Sequence, residues 1–483
     1  MTDKPNYSTA ELVAWDREFV WHPFTPMKAW VENKDIVVIE RGDGEWLIDT
    51  EGRRYIDGTS SIWCNVHGHA VPELDEAARE QLGKIAHTTL LGLASPPSIL
   101  LAKKLVELMQ ARGMGLRKVF YSDDGSTAVE VACKLAYQYW RNHGSGVRGQ
   151  GPERRRFLTL REAYHGDTIG AVSLGGIGMF HETFKGLCFA VDAVEPAVRG
   201  TGRHAPHETS TTEDVASVAE FAQRVERMFT ERPGEYAAVV VEPVIQGAGG
   251  MIVQARGMLR VLRELCDRHE VLLIADEVMT GFGRTGRMFA CEHEGVTPDL
   301  MCLSKGLTGG YMPLGATLCT RRVYEAFYAD PREGKTFFHG HTFTGHPLAC
   351  AVALRSIELM EEHGLVDRAQ RLGGIMGEEL RPLVGHPYVR RMDRIGLIGA
   401  VEVGAADGTR FPYTWRIGGA LCAWMRRREA GVGVMLRPLA DVLVLMPPLT
   451  IREENLRQMC RVVVESLRQM DAIIREKQIE FRG

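Results

Sequence analysis

The residues best placed to do chemistry lie between Leu272 and Gly310, in LLIADEVMTGFGRTG and then PDLMCLSKGLTGG. One apolar run brings Asp276 and Glu277 to its end, and a second brings Lys305. In open α/β sheets ligands bind outside the carboxyl ends of the strands. A charge buried there is costly unless it is paired or its pKa shifts, so such residues mark a site. The plainer alternative for each is an exposed strand end in a surface ion pair. Lys305 stands between Ser304 and Gly306 beside an apolar strand, where desolvation would lower the amine's pKa and free it to attack a carbonyl. An aldehyde cofactor suits such an amine. Pyridoxal 5'-phosphate also needs a carboxylate against its ring nitrogen, which Asp276 could supply. Its phosphate needs N–H groups at a helix N-terminus. Gly125, Ser126 and Thr127 open the helix that begins at Ala128, although a simple Ser/Thr cap would read the same way.

Tyr164 sits in the polar stretch REAYHGDT, where an aromatic ring has little reason to be unless it stacks on something flat or folds back on the core. Arg437, in GVMLRPL after an apolar strand, could clamp a substrate carboxylate with two parallel hydrogen bonds or form a structural salt bridge. Two other patterns lead elsewhere. Residues 281–286, GFGRTG, match a dinucleotide-loop spacing, but the strand before them ends at Ala275, too early for the first glycine to form the strand-to-helix turn. His67 with His69, and His339 with His341, are H-x-H pairs without further ligands at zinc-site spacing, so no metal is expected.

These groups need a scaffold. Tyr236 to Val241, Val271 to Ala275 and Leu300 to Leu303 are short, continuous apolar runs, read as strands buried on both faces; 128–140 reads as a buried helix. Alternating strands and helices predict an α/β fold around a mostly parallel sheet. The segments 143–155 and 195–213 read as surface loops. Leu456, Met459, Cys460, Val463, Leu467, Met470 and Ile474 form a helical stripe, read as one amphipathic terminal helix. The composition is that of a folded chain rather than a disordered or fibrous one, with 483 residues, 45% hydrophobic and 25% charged. Lys and Arg number 58 against 62 Asp and Glu, a net charge of -4, so neither nucleic acid nor an anionic membrane is an expected partner. The ten cysteines show no C-x-x-C pair and read as reduced, packed thiols, and no apolar run is long enough to span a membrane. A cytoplasmic protein is expected.

With these residues assembled, the chain resembles the class III aminotransferases, pyridoxal-phosphate enzymes of fold type I, over nearly its whole length. The block holding Asp276 and Lys305 carries the likeness. WHPFTPM at 21–27, DGTSSIWCNVHGH at 57–69, DDGSTAVEVACKLAYQYW at 123–140, YHGDTIGAVS at 164–173, EPVIQGAGGM at 242–251 and FFHGHTFTGHPLAC at 337–350 resemble the branch that aminates 8-amino-7-oxononanoate to 7,8-diaminononanoate in biotin synthesis. The resemblance implies that Lys305 carries the cofactor and Asp276 faces its ring nitrogen. It implies further that Tyr164 stacks on the ring, that Gly125 and Ser126 hold the phosphate, and that His165 and Glu242 lie around the cofactor. Thr342 matches a phosphate ligand donated by a second subunit, which implies a homodimer with shared active sites. Arg437 matches the anchor for the substrate carboxylate, and Phe24, Ile62, Trp63, Arg284 and Gly340 fall on the substrate side.

Three positions depart from the S-adenosylmethionine-using form: Ile62 stands where a Trp is usual, and Phe24 and Val444 where Tyr is usual. They look more like the lysine-using variant, so the amino donor is expected to be S-adenosylmethionine or L-lysine. The implied architecture is a large cofactor domain, residues 75–345, and a smaller α+β domain made by both chain ends, residues 1–74 and 346–483. Rival readings are a class III enzyme for another ω-amine such as a diamine or 4-aminobutyrate, a nicotinamide oxidoreductase using GFGRTG, and a non-catalytic binding protein.

Overall fold

The computed structural model describes residues 7–143, 154–199, 212–427 and 432–480. Its strands are, in chain order, β1 Ile39–Asp43, β2 Trp46–Asp49, β3 Arg54–Asp57, β4 Leu116–Ser122, β5 Arg156–Leu160, β6 Val191–Val194, β7 Tyr236–Val241, β8 Ile245–Gln246, β9 Ile252–Val253, β10 Leu272–Asp276, β11 Leu300–Leu303, β12 Gly315–Thr320, β13 Val389–Ile395, β14 Ile398–Val403, β15 Gly433–Met435 and β16 Val442–Leu445. Seven form the central sheet in the order β4-β12-β11-β10-β7-β5-β6. Neighbours from β11 to β6 are parallel, and only β12 runs antiparallel, to both β11 and β4.

The apolar runs are continuous because both faces of this sheet are covered. Along β10, Leu273 and Ala275 join one core, with Phe221, Leu259 and Leu262 from helices on that side. Leu272 and Ile274 join another, with Ala128, Val129, Ala132 and Tyr139 from the helix Gly125–His143. Strands β7 and β11 divide in the same way. That helix starts three residues before the expected Ala128. The Asp124 carboxylate accepts from Thr127 N (2.8 Å), and the Thr127 hydroxyl accepts from Asp123 N and Asp124 N, so the side chains close the first turn.

The two ends of the chain meet in smaller sheets. Strand β15 pairs in parallel with β3, with Met435 opposite Asp57, and β1, β2, β3 and β15 make a four-stranded sheet. Strands β13, β14 and β16 form an antiparallel sheet of three. The terminal stripe runs through two helices, Glu453–Ser466 and Met470–Glu480, rather than one. They are joined by a 3-10 turn at Leu467–Gln469, where the Ser466 hydroxyl bonds back to the Val463 carbonyl (2.7 Å) and competes with the helical pattern. Residues 144–153 and 200–211, within the two segments read as loops, lie outside the described residues. Among the described residues no helix is long and apolar enough to cross a membrane, and the ten cysteines are free thiols, eight of them buried.

Candidate active site

Strand parity sorts the two carboxylates at the end of β10. Asp276 falls in phase with Leu272 and Ile274, is 5% exposed, and lines a cleft of about 400 Å³. Glu277, one residue on, is fully buried and accepts from the Thr280 hydroxyl (2.6 Å), Ala290 N (2.9 Å) and Cys291 N (2.8 Å). It ties down the glycine-rich loop and does not reach the cleft. That loop is a series of turns, with Gly283 and Gly286 at φ +85° and +82°, and no helix begins at it.

Asp276 has its own holders. Its Oδ2 lies 2.7 Å from His165 Nδ1, and its Oδ1 accepts from Val278 N at 3.0 Å. Burial alone would push the His165 imidazole down, but the bond and charge of Asp276, with the charge of Glu242, outweigh it and hold the ring above the ordinary histidine range. Glu242, just past β7, accepts from Tyr164 N (3.1 Å) and Gly247 N (2.8 Å). Burial, reinforced by Asp276, pushes its carboxyl up to about 7 against the opposing pull of His165 and those two amides.

Lys305 follows β11 and enters a 3-10 turn at φ +41°, a backbone conformation that a non-glycine residue keeps only when its surroundings impose it. Burial lowers its pKa, opposed by the charges of Asp276 and Glu242. Its Nζ stands 4.9 Å from the centre of the Trp63 ring, and no hydrogen bond or ion pair engages it among the described residues. It is the desolvated, unengaged amine that attack on a carbonyl requires.

Across the cleft Tyr164 is half-buried, with its hydroxyl donating to Asp167 Oδ2 at 2.6 Å. Gly125 and Ser126 begin the Gly125–His143 helix with N–H groups that have no partner among the described residues. Close packing shapes this end. A Cβ on Gly166 would come within 2.2 Å of Ser126 Oγ, and one on Gly125 within 2.6 Å of Val278 Cγ1.

The cleft therefore brings together Trp63, Gly125, Ser126, Tyr164, His165, Glu242, Asp276 and Lys305. Pyridoxal phosphate fits this set: free amides at a helix N-terminus for the phosphate, a buried carboxylate for the ring nitrogen, an aromatic face for the ring and a buried, unengaged amine for the aldehyde. Other residues on the same wall, among them Cys64, Val278, Met279 and Tyr311, escaped the sequence reading. For Val278 there was a signal, since it lies two positions beyond Asp276. Tyr311 and Met312 follow the lysine motif directly but carry no charge to mark them.

Six expected residues are not on this wall. Arg284 is 1% exposed; one guanidinium nitrogen donates to the Pro447 carbonyl, two have no partner, and burial lowers its pKa to about 10. Arg437 is exposed, with no partner among the described residues. Because β15 runs parallel to β3, Arg437 leaves the sheet on the same side as the loop carrying Ile62 and Trp63. Ile62 is 48% exposed, and Phe24 sits edge-on to Phe180 at 5.2 Å, which in turn lies 6.4 Å from Tyr164. Gly340 and Thr342 are exposed on a segment moored beside the phosphate end, where His341 Nδ1 meets Asp123 Oδ2 at 2.7 Å. Val444 is wholly buried, in one cluster with Trp63. The H-x-H rings each have a partner of their own: His67 on Ser356, His69 on Asp57, His339 on Lys134 and His341 on Asp123.

Comparison with known proteins agrees with this geometry. The family Aminotransferase class-III matches residues 27–467. The adenosylmethionine-8-amino-7-oxononanoate aminotransferase of Geobacter sulfurreducens is 48% identical, covering 94% of this chain and 96% of its own length. That of Aquifex aeolicus is 44% identical, covering 95% and 98%. The crystal structure of the Methanocaldococcus jannaschii enzyme of the same name superposes with a TM-score of 0.85 at 37% identity, covering 96% of this chain and 99% of that one. An amine transaminase from an uncultivated Pseudomonas species, solved in its PLP-bound form, superposes with a TM-score of 0.83 at 33% identity, covering 93% and 98%. A pyridoxal-phosphate cleft, a sheet of this order and a match across almost all of the sequence place the chain in one family: it belongs to the class III aminotransferases, of fold type I, and its cofactor is pyridoxal 5'-phosphate.

Proposed function

We propose that this aminotransferase converts 8-amino-7-oxononanoate to 7,8-diaminononanoate in biotin biosynthesis. The observation that carries the reading is the near full-length similarity, at 48% and 44% identity, to relatives named for that substrate. The bound cofactor supplies an aldehyde that takes up and returns the amino group and a ring that withdraws electrons.

The chain's own residues do the rest. Lys305 Nζ would hold the cofactor through its aldehyde and, when free, would carry a proton to and from the reacting carbon. Asp276 keeps positive charge at the ring nitrogen, with His165 fixing the carboxylate. Tyr164 covers the ring, and Gly125 with Ser126 receives the phosphate. Glu242 anchors the backbone at Tyr164 and Gly247. Arg437 receives the substrate carboxylate, and Phe24, Ile62, Trp63, Arg284 and Gly340 shape the substrate side.

Thr342 of the partner subunit completes the phosphate site in a homodimer with shared active sites. The exposure of Phe338 (84%) and Phe343 (53%) on either side of Thr342 supports this, because apolar rings of that size on one segment suit a protein interface. The pairing of β3 with β15 supports a small domain from residues 1–74 and 346–483 beside a large domain of residues 75–345. Free cysteines support a cytoplasmic setting.

The donor is S-adenosylmethionine or L-lysine. The relatives' names favour the former, and the branched aliphatic Ile62 beside Trp63 favours the narrow apolar channel that lysine's methylenes require. A second reading, turnover of another ω-amine, is favoured by the (S)-enantioselective omega-transaminase of Thermomicrobium roseum, which superposes with a TM-score of 0.85 at 35% identity, covering 98% of this chain and 99% of that one. Purified holoenzyme assayed with 8-amino-7-oxononanoate and each donor separately decides among them. Product 7,8-diaminononanoate is expected, and turnover of simple ω-amines without it refutes the assignment.

A further inference from the structure

The loop that follows β3 is held in an unusual conformation, and the groups that hold it lie outside the cleft. Ser60, Ser61 and Trp63 have φ of 49°, 61° and 65°, and Ser61 pairs its φ with ψ -93°. Glycine occupies that region readily and other residues do so at a cost, so something must impose it. Asp57, the last residue of β3, is fully buried and does so. Its Oδ1 accepts from Thr59 N (3.1 Å), and both of its oxygens lie within reach of Ser61 N (3.2 and 2.9 Å).

Its Oδ2 also meets His69 Nε2 at 2.8 Å. His69 is braced in turn, exchanging backbone bonds with Gly44 (2.8 and 3.0 Å) in the turn between β1 and β2. Gly42 is required beside it, since a Cβ there would fall 2.4 Å from the His69 Cβ. The start of the loop is pinned where Ser60 Oγ donates to the Met446 carbonyl at 2.7 Å. A continuous set of contacts therefore runs from the β1–β2 turn through His69 and Asp57 to Ser61, and on to Ile62 and Trp63.

We propose that Asp57 and His69 are positioning residues that lock the Ser60–Trp63 loop in its left-handed form and so set the substrate wall of the cleft. Neither touches the cofactor pocket; both act through Trp63, which stands over Lys305, and through Ile62. The loop carries none of the residues read as holding the cofactor's phosphate and ring nitrogen, Gly125, Ser126, Asp276 and His165, so disturbing it is expected to alter substrate binding while cofactor content is kept.

The inference takes its substrate from the function proposed above. Holoenzymes carrying Asp57→Asn, His69→Ala and His69→Gln are compared with wild type by kcat and KM for 8-amino-7-oxononanoate, visible cofactor absorbance per chain and thermal midpoint. Asp57→Asn and His69→Ala are expected to raise KM tenfold or more with cofactor content unchanged, and His69→Gln, which keeps a donor, to stay within threefold of wild type. Adding Ser61→Gly to Asp57→Asn is expected to recover at least a third of the lost kcat/KM, because glycine accepts the backbone geometry without the carboxylate. KM within twofold of wild type in His69→Ala, or no recovery from Ser61→Gly, overturns the proposal. So does parallel loss of cofactor and thermal midpoint in place of a KM effect. If Asp57→Asn does not fold, the His69 pair decides alone. If wild type fails to aminate 8-amino-7-oxononanoate, the substrate assignment falls, and the loop is tested with whichever amine discharges the visible band.

Discussion

Asp276→Asn isolates charge from shape. The amide is isosteric and can still accept from Val278 N, so the cleft keeps its form while losing a carboxylate that is only 5% exposed. The 2.7 Å contact with His165 sets the scale. At an effective dielectric of about 20, 332/(20 × 2.7) is about 6 kcal/mol of attraction between carboxylate and imidazolium. That attraction opposes the burial of the imidazole and holds it above its ordinary value. With Asp276 neutral, burial dominates, and the imidazole falls below its ordinary value instead of standing above it. The same carboxylate is the charge available to the cofactor ring, and loss of one preorganised electrostatic partner typically costs ~10²–10³-fold in kcat. Single-turnover absorbance measurements on the variant, with cofactor content measured alongside, should show retained cofactor and turnover lower by that factor. Turnover within a few-fold of wild type would show that Asp276 only supports the structure.

Three further outcomes follow from the site. Lys305→Ala should abolish turnover with the fold intact, and borohydride reduction of wild type followed by digestion should recover the pyridoxyl group on Lys305; an adduct on another lysine refutes the assignment. Mixing inactive Lys305→Ala chains with inactive Thr342→Ala chains should restore activity in hybrid dimers that hold one intact site, and no recovery in verified hybrids argues against sharing. The Glu242 carboxyl, raised by burial from 4.5 to about 7, binds its proton more tightly folded than unfolded, so its contribution to stability is complete below pH 4.5 and is lost as pH rises through 7. The stability of wild type relative to Glu242→Gln should therefore fall by up to about 3 kcal/mol between pH 4.5 and 8, measured by denaturation at each pH, and a pH-independent difference refutes the shift.

The sequence by itself determined three adjacent strands of the central sheet, β7, β10 and β11, and singled out two residues that line the cleft, Asp276 and Lys305. Runs such as Tyr236–Val241 and Leu300–Leu303 match their strands end for end, because a strand covered on both faces must be apolar at every position. A lysine and an aspartate at the ends of such runs announce themselves, because a charge is out of place there unless a site needs it. Tertiary structure decided what depends on side-chain direction and distant pairing. It turned Asp276 into the cleft and Glu277 away from it, a matter of strand parity that adjacent acids in a sequence do not reveal. It joined His165 to Asp276 and Glu242 to the Tyr164 backbone, contacts between segments 111 and 78 residues apart. It buried Arg284 away from the cleft lining and left Arg437 exposed just past β15, whose parallel pairing with β3 joins segments far apart in the chain. Spacing along a chain reports which residues can share a strand or a helix face; which strands lie side by side is settled only when the whole core packs.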